Sequence, residues 1–252
     1  IEDVIREEYL SKKQSGSREE LLAELRRLID PAPPRILEET ADHSITFETA
    51  PGLQLTARLL LPSGAGPHPA VLAVEKQLTA SKTVLERVKQ GQAVLMLVPR
   101  GLPFRDSGHL SGDWLANTRD SLIGRNLAAD RAHDILCGVG LLAGHAGVES
   151  SHLEVIADGV PGIWALFAAA IDSRIASVSL RDTPWSLRAA FDDPLNRTLH
   201  AAVIPGFALK WDLSDVVAAI GPRPVSWTDP TDWMGNVIPR PGPYHYTISS
   251  DR

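Results

Sequence analysis

The sequence predicts an α/β protein built on a mostly parallel sheet, and three observations carry that expectation. Short, nearly continuous apolar runs recur along the chain: PAVLAV (69–74), AVLMLV (93–98), LEVIA (153–157), IASVSL (175–180) and PVSW (224–227). Runs of this kind suit strands buried on both faces. Segments of helical pattern separate them, which implies right-handed crossovers between parallel neighbours. A two-stranded hairpin precedes the first run, so the sheet begins with antiparallel strands.

Two amphipathic helices occupy the first 30 residues. The first, IEDVIREEYL, breaks at SKKQSGS. Ser17-Arg18-Glu19-Glu20 opens the second as a capping box, in which Ser17 and Glu20 satisfy each other's amides. Leu21, Leu22, Leu25, Leu28 and Ile29 then form an apolar stripe at helical spacing. The prolines of DPAPP end it. Residues 1–34 therefore read as a helical appendage with a packing role, and 35–252 as the α/β domain. SITFETA and LQLTARLLL flank the Pro51-Gly52 turn, with Leu53, Leu55, Ala57, Leu59 and Leu61 alternating as on a half-buried strand. SGAGPHP is a surface loop. The helices between the later strands are SKTVLERVKQ, a long segment from about Asn126 to Gly144, PGIWALFAAAI and LSDVVAAI. Gly138 and Gly140 fall inside the long one, and their expected role is close packing on the sheet, since each costs about 1 kcal/mol of helix propensity.

The composition bounds the function. At 252 residues the chain makes one large domain, or one domain with a small appendage. It is 44% hydrophobic and 22% charged, enough to bury a full-sized core. With 31 acidic against 25 basic residues the net charge is -6. No run of Lys and Arg tracks a phosphate backbone, so nucleic acid is not an expected partner. No stretch approaches the roughly 18 apolar residues of a membrane span. A single Cys excludes a disulfide framework and CxxC metal chemistry, and no cofactor is implied. The first residue, Ile1, leaves the compartment open, with a secreted or periplasmic setting favoured over a cytoplasmic one. Self-association into a homo-oligomer is left open.

Ligands of open parallel sheets collect beyond the C-terminal strand ends, here after Val74, Val98, Ala157 and Trp227. The third is the most informative. LEVIADGVPGIWALFAAAIDSRIASVSL has the layout strand, sharp turn, helix, strand, in which a G-x-S-x-G turn presents a nucleophile at the strand–helix junction. Small residues flank such a nucleophile because the strained turn crowds the neighbouring backbone. On that pattern Ala157 and Pro161 take the flanking small positions, and Gly159 takes the nucleophile's. Ser150 and Ser151 precede the strand, Ser173 follows the next helix, and Ser177 and Ser179 lie within the following strand. None of these is placed to attack. His109, His133, His145 and His200 show no HExxH or H-x-H spacing, so no metal site is expected. Cys137, inside an apolar run, reads as a packing residue. Trp114, Trp185, Trp211, Trp227 and Trp233 fall in loops or at element ends, where aromatic platforms would suit a sugar-binding cleft as well as core packing. Arg181 and Asp182, just past a strand end, are the polar groups expected to face that cleft, with Trp185 and Trp233 beside them.

Taken together, LLLPSGAGPHPAVLAV, GQAVLMLVPRG, RDSLIGRNLAADRAHDILCGVGLLA, the turn segment and DLSDVVAAIGPRPVSWTDPTDWMG resemble the α/β-hydrolase superfamily. The similarity runs from about Arg18 to Trp233 and is strongest to the acetyl-xylan-esterase-like and dienelactone-hydrolase-like branch. It implies an esterase-type Ser-His-acid triad, with a Ser where this chain has Gly159. A glycine has no side chain to form an acyl intermediate. Members of the group commonly carry His-Gly where this chain has Glu75-Lys76-Gln77. The corresponding oxyanion amides would be those of Val160, Lys76 and Gln77, and an acidic Glu75 beside them would oppose a developing oxyanion. The triad acid corresponds best to Asp232, then to Asp229, although both also suit turn chemistry. Only His245 lies downstream for the base. A separation of 13 positions from 232 to 245 leaves no room for the helix and strand that should intervene. Asp158 is an alternative nucleophile, but that register places Ile156 and Val160 at the small positions.

Three readings follow. The leading one is a carbohydrate-esterase-like protein without hydrolysis, or with very little, retained for binding, assembly or scaffolding. The second is an active carboxylic-ester hydrolase with another nucleophile, or with a base from a second chain. The third is an interaction subunit partnering an active homologue. The ligand expected in each case is a small ester or an acetylated polysaccharide.

Overall fold

The computed structural model describes residues 2–30, 32–102, 112–191 and 198–238. Two helices open the chain, α1 (Glu2–Lys12) and α2 (Arg18–Leu28). The Ser17–Glu20 capping box forms as the sequence predicts. Leu21, Leu22, Leu25 and Ile29 are buried in the main core against α5 (Leu127–Gly144), α6 (Pro161–Ile171) and α8 (Leu213–Ile220). At about 2 kcal/mol for each fully buried aliphatic side chain, this stripe fixes α2 firmly. By contrast α1 keeps Val4, Ile5 and Leu10 exposed and touches the body through Tyr9, stacked on Phe191 at 4.3 Å.

The strands are β1 (Arg35–Glu39), β2 (Ser44–Ala50), β3 (Leu53–Leu60), β4 (His68–Val74), β5 (Ala93–Leu97), β6 (Val148–Asp158), β7 (Ile175–Arg181) and β8 (Val225–Thr228). They form one sheet in the order β1-β2-β3-β5-β4-β6-β7-β8. Pairing is antiparallel from β1 through β3 to β5 and parallel from β5 through β4, β6 and β7 to β8. The Pro51-Gly52 hairpin closes with Gly52 at φ +78°, a region that a residue with a Cβ rarely adopts. Val74, Ala157, Leu180 and Trp227 are partners across one row, so four strand ends finish level and open onto a common rim.

Helices α5, α6 and α8 cover one face of the sheet, with the one-turn α7 (Phe207–Lys210) just ahead of α8 in the chain, and α3 (Lys82–Lys89) covers the other. The expectation that all the parallel strands are buried on both faces needs correction. Val71, Ala73, Val94, Met96 and Ile156 pack under α3 with Val84. Further along that face, Glu154, Ser177, Ser179, Ser226 and Thr228 are only half-buried. Among the described residues no second helix covers them, so hydroxyls and a paired carboxylate stand where a two-sided core would hold aliphatics. Three other details depart from the sequence reading. β1 is an unforeseen edge strand, exposed along its whole length. α4 (Asp113–Leu122) is an unforeseen helix that holds Trp114 in its first turn. Gly138 does pack on the sheet, against Leu72 and Leu97, but Gly140 faces Pro34.

The apolar helix α5 also carries buried charge. Asp134 accepts from the side chain of Arg100 at 2.6 Å and from its backbone N–H at 2.9 Å. Arg131, fully buried, donates to both oxygens of Asp113 (2.5 and 3.0 Å) and lies over the Trp164 ring at 4.5 Å. His133 sits between the carbonyls of Asp30 and Thr49, and Cys137 is buried beside it, both as core residues. No helix among the described residues is long and apolar enough to cross a membrane.

Candidate ligand site at the strand–helix elbow

The turn after β6 has the geometry of a nucleophile elbow. Gly159 takes φ +72° between the strand and α6, and its N–H donates to the Arg181 carbonyl at 2.8 Å. Pro161 begins the helix, where its missing N–H costs nothing. Gly162 is obligatory, because a Cβ there would lie 2.2 Å from Thr183 Oγ1. That hydroxyl in turn donates to the Gly159 carbonyl at 2.9 Å. A Cβ on Gly159, however, would meet nothing within 4 Å. The elbow is tightly built, and at its tip it presents open space instead of a side chain.

Above Gly159 lies a cavity of about 490 Å³. Val160, Lys76, Asp182 and Asp232 line it together with Trp114, Trp164 and Trp233. The strand ends bring Gly159, Asp182 and Asp232 together although they lie far apart in the chain. Asp182 holds φ +50°, with its N–H donated to Thr228. Burial disfavours the charge on Asp232, but bonds from the Asn236 side chain (2.8 Å) and from the Asn236 and Met234 amides (2.8 and 2.9 Å) outweigh it. They hold the carboxyl below its ordinary value. The three tryptophans differ in role. Trp233 and Trp164 are buried and spend their indole N–H on Ser186 and Ala201. Trp114 is 44% exposed and meets His200 edge-on, which makes it the aromatic surface best placed for a ligand.

Several residues expected at this site lie elsewhere. Asp158 and Arg181 pair at 2.5 Å and line a second, smaller basin of about 390 Å³ on the α3 side. Successive strand residues point to opposite faces, so Asp158 and Gly159 part company, as do Arg181 and Asp182. Glu75 also turns to that basin, where it accepts from Ser81 Oγ at 2.9 Å while desolvation pushes its carboxyl up. Gln77 is exposed outside the cavity, and Trp185 is half-buried against the main core. Asp229, at φ +47°, lines the basin and not the cavity. His245 and His109 lie outside the described residues.

The sequence reading had not placed Trp164 or His200 at the cavity. His200 reaches it on the short turn Leu199–Ala201. Trp114 gets there because α4 is anchored by Asp113 on Arg131 and by Asn117, which accepts from the Leu127 amide at 3.2 Å. The polar residues of SGDWLANTRDS masked that helix. Chemically, the cavity offers carboxylates, one ammonium group and an aromatic face, which together can orient a hydroxylated ligand.

No protein-family model matches the chain, and no curated protein matches it by sequence. Solved structures do. A protein of Bacteroides fragilis assigned as an acetyl xylan esterase superposes with a TM-score of 0.68 at 15% identity, over 84% of this chain and 67% of its own. Acetyl xylan esterase 1 from a Thermoanaerobacterium species gives 0.62 at 15% identity, over 86% and 79%. A glucuronoyl esterase from Caldicellulosiruptor kristjansonii gives 0.59 at 16% identity, over 87% and 71%. The chain therefore has the α/β-hydrolase fold that these structures share.

Proposed function

We propose that this chain is a non-hydrolytic member of the esterase-like α/β hydrolases, and that it binds an acetylated polysaccharide in the cavity above the elbow. The observation that carries the reading is Gly159. Its left-handed backbone and open Cβ direction keep the shape that presents a nucleophile, without the atom that would attack. Trp114 supports carbohydrate as the ligand, because an exposed indole beside carboxylates at a largely apolar cavity can stack on a sugar ring while its hydroxyls are bonded. The names of the structural neighbours point to the same ligand class.

Two measurements test it. Hydrolysis of p-nitrophenyl acetate should not exceed the buffer rate, and a fluorophosphonate should leave the intact mass unchanged. A covalent adduct, or a rate that falls in Asp232→Asn, would establish an active hydrolase instead. Affinity electrophoresis through acetylated xylan should retard the protein, and Trp114→Ala should restore its mobility. Unchanged mobility of the parent protein would remove the carbohydrate assignment.

A further inference from the structure

We infer a zinc site at the opposite end of the sheet from the elbow, built by Glu39, His43 and His145. Glu39 ends β1, His43 lies in the turn into β2, and His145 caps the C-terminus of α5 just before β6 begins. The elbow lies at the far end of β6, on the order of 30 Å away at about 3.3 Å per residue. His43 Nδ1 is 3.2 Å from Glu39 Oε1, and His145 Nε2 is 3.9 Å from the same oxygen. One ligand atom from each residue lies within 4.8 Å of the other two. Zinc bonds of about 2.0–2.2 Å hold tetrahedral ligand atoms roughly 3.4 Å apart. The first separation already fits, the second closes by about 0.5 Å, and the third, at most 4.8 Å, by no more than about 1.4 Å. All three side chains reach solvent, which leaves the fourth position to water. Two imidazoles and a single carboxylate favour Zn²⁺ over Mg²⁺ or Ca²⁺, which prefer all-oxygen sets.

The surrounding backbone gives the site a signature. The Gly147 N–H donates to His145 Nδ1 at 3.1 Å, so the neutral ring carries its proton on Nε2, toward Glu39. Zinc on Nε2 takes that position. The ring proton moves to Nδ1, the proton count of the ring is unchanged, and the Gly147 amide loses its acceptor. That loss weakens the site without abolishing it. Once bound, the metal ties the turn at the exposed edge strand β1 to the α5–β6 turn. The pattern is invisible in the sequence, because its ligands come from two turns that only the fold brings together.

The test uses the full chain without an affinity tag, stripped with EDTA and titrated with ZnCl₂ by calorimetry. The expected results are saturable binding, a Tm that rises with zinc concentration and a Gly147 amide resonance that shifts to the same endpoint. His43 holds φ +56°, which Asn tolerates, so His43→Asn keeps the turn and should weaken binding by at least about 10–100-fold, the loss seen even for outer-sphere partners. His145→Ala should do the same, and His152→Ala, an exposed histidine paired with Glu149 and not a member of the cluster, should change nothing. Absence of binding at roughly 100 µM zinc, far above what a stabilising site needs, would overturn the inference. So would binding that survives both ligand substitutions, or a Gly147 resonance that does not move.

Discussion

Removing Asp113 puts the buried charge at the cavity wall to a quantitative test. The Arg131 guanidinium is fully buried. Among the described residues it pairs with the Asp113 carboxylate, at 2.5 and 3.0 Å, and it also donates to the Arg100 carbonyl at 3.1 Å and lies over the Trp164 ring. Asp113→Ala would strand the cation. Breaking a buried pair costs about 3–5 kcal/mol. The Asp113 side chain is 27% exposed, so water can follow it in, and the lower end, about 3 kcal/mol, applies. For a chain of this size each kcal/mol shifts Tm by about 2–4 °C, so the expected fall is about 6–12 °C. The assay is thermal unfolding checked by urea titration, on Asp113→Ala, Arg131→Met and the double variant. Arg131→Met removes the cation but keeps much of its volume, so the double variant should be more stable than Asp113→Ala alone. A fall below about 2 °C in Asp113→Ala, well short of one broken buried pair, would refute the reasoning. A double variant less stable than that single one would refute it equally.

Other consequences concern single groups. Gly159→Ser places a Cβ at φ +72° with free space around it, so the cost is the left-handed backbone alone, about 1–2 kcal/mol, seen as a Tm lower by about 2–8 °C. Its p-nitrophenyl acetate hydrolysis should stay at the buffer rate, and strong fluorophosphonate labelling would reveal a working base. Desolvation raises the Glu75 carboxyl above its ordinary 4.5, so the stability tied to its protonated form is present below that value and is lost as pH rises through the raised one. Glu75→Gln should therefore stabilise the protein at pH 7 and lose its advantage in acid, as Tm against pH will show; a gap independent of pH contradicts this. Burial, reinforced by Asp134, pushes the Cys137 thiol up to about 12. Ellman's reagent should thus find no reactive thiol in the native protein and one in urea, whereas prompt native labelling would mean that α5 opens readily.

Much of the architecture follows from local pattern. The apolar runs became β4 to β8, the Pro51-Gly52 signal became the β2–β3 hairpin, and Ser17–Glu20 capped α2, because periodicity and turn chemistry act between neighbours in the chain. The elbow was legible for the same reason: strand, small residues and helix are contiguous. Gly162 adds the clash that makes its small size compulsory.

What the sequence by itself determined, then, is the order of the elements and the absence of a hydroxyl at position 159, both properties of adjacent residues. Only the tertiary structure decided which face each polar group serves. It sends Asp158 and Arg181 to one side of the sheet and Asp182 and Asp232 to the other. It also anchors α4 on a buried arginine and gathers Glu39, His43 and His145 from remote turns. These juxtapositions depend on strand order, side-chain alternation and long-range ion pairing, which no local window of residues contains.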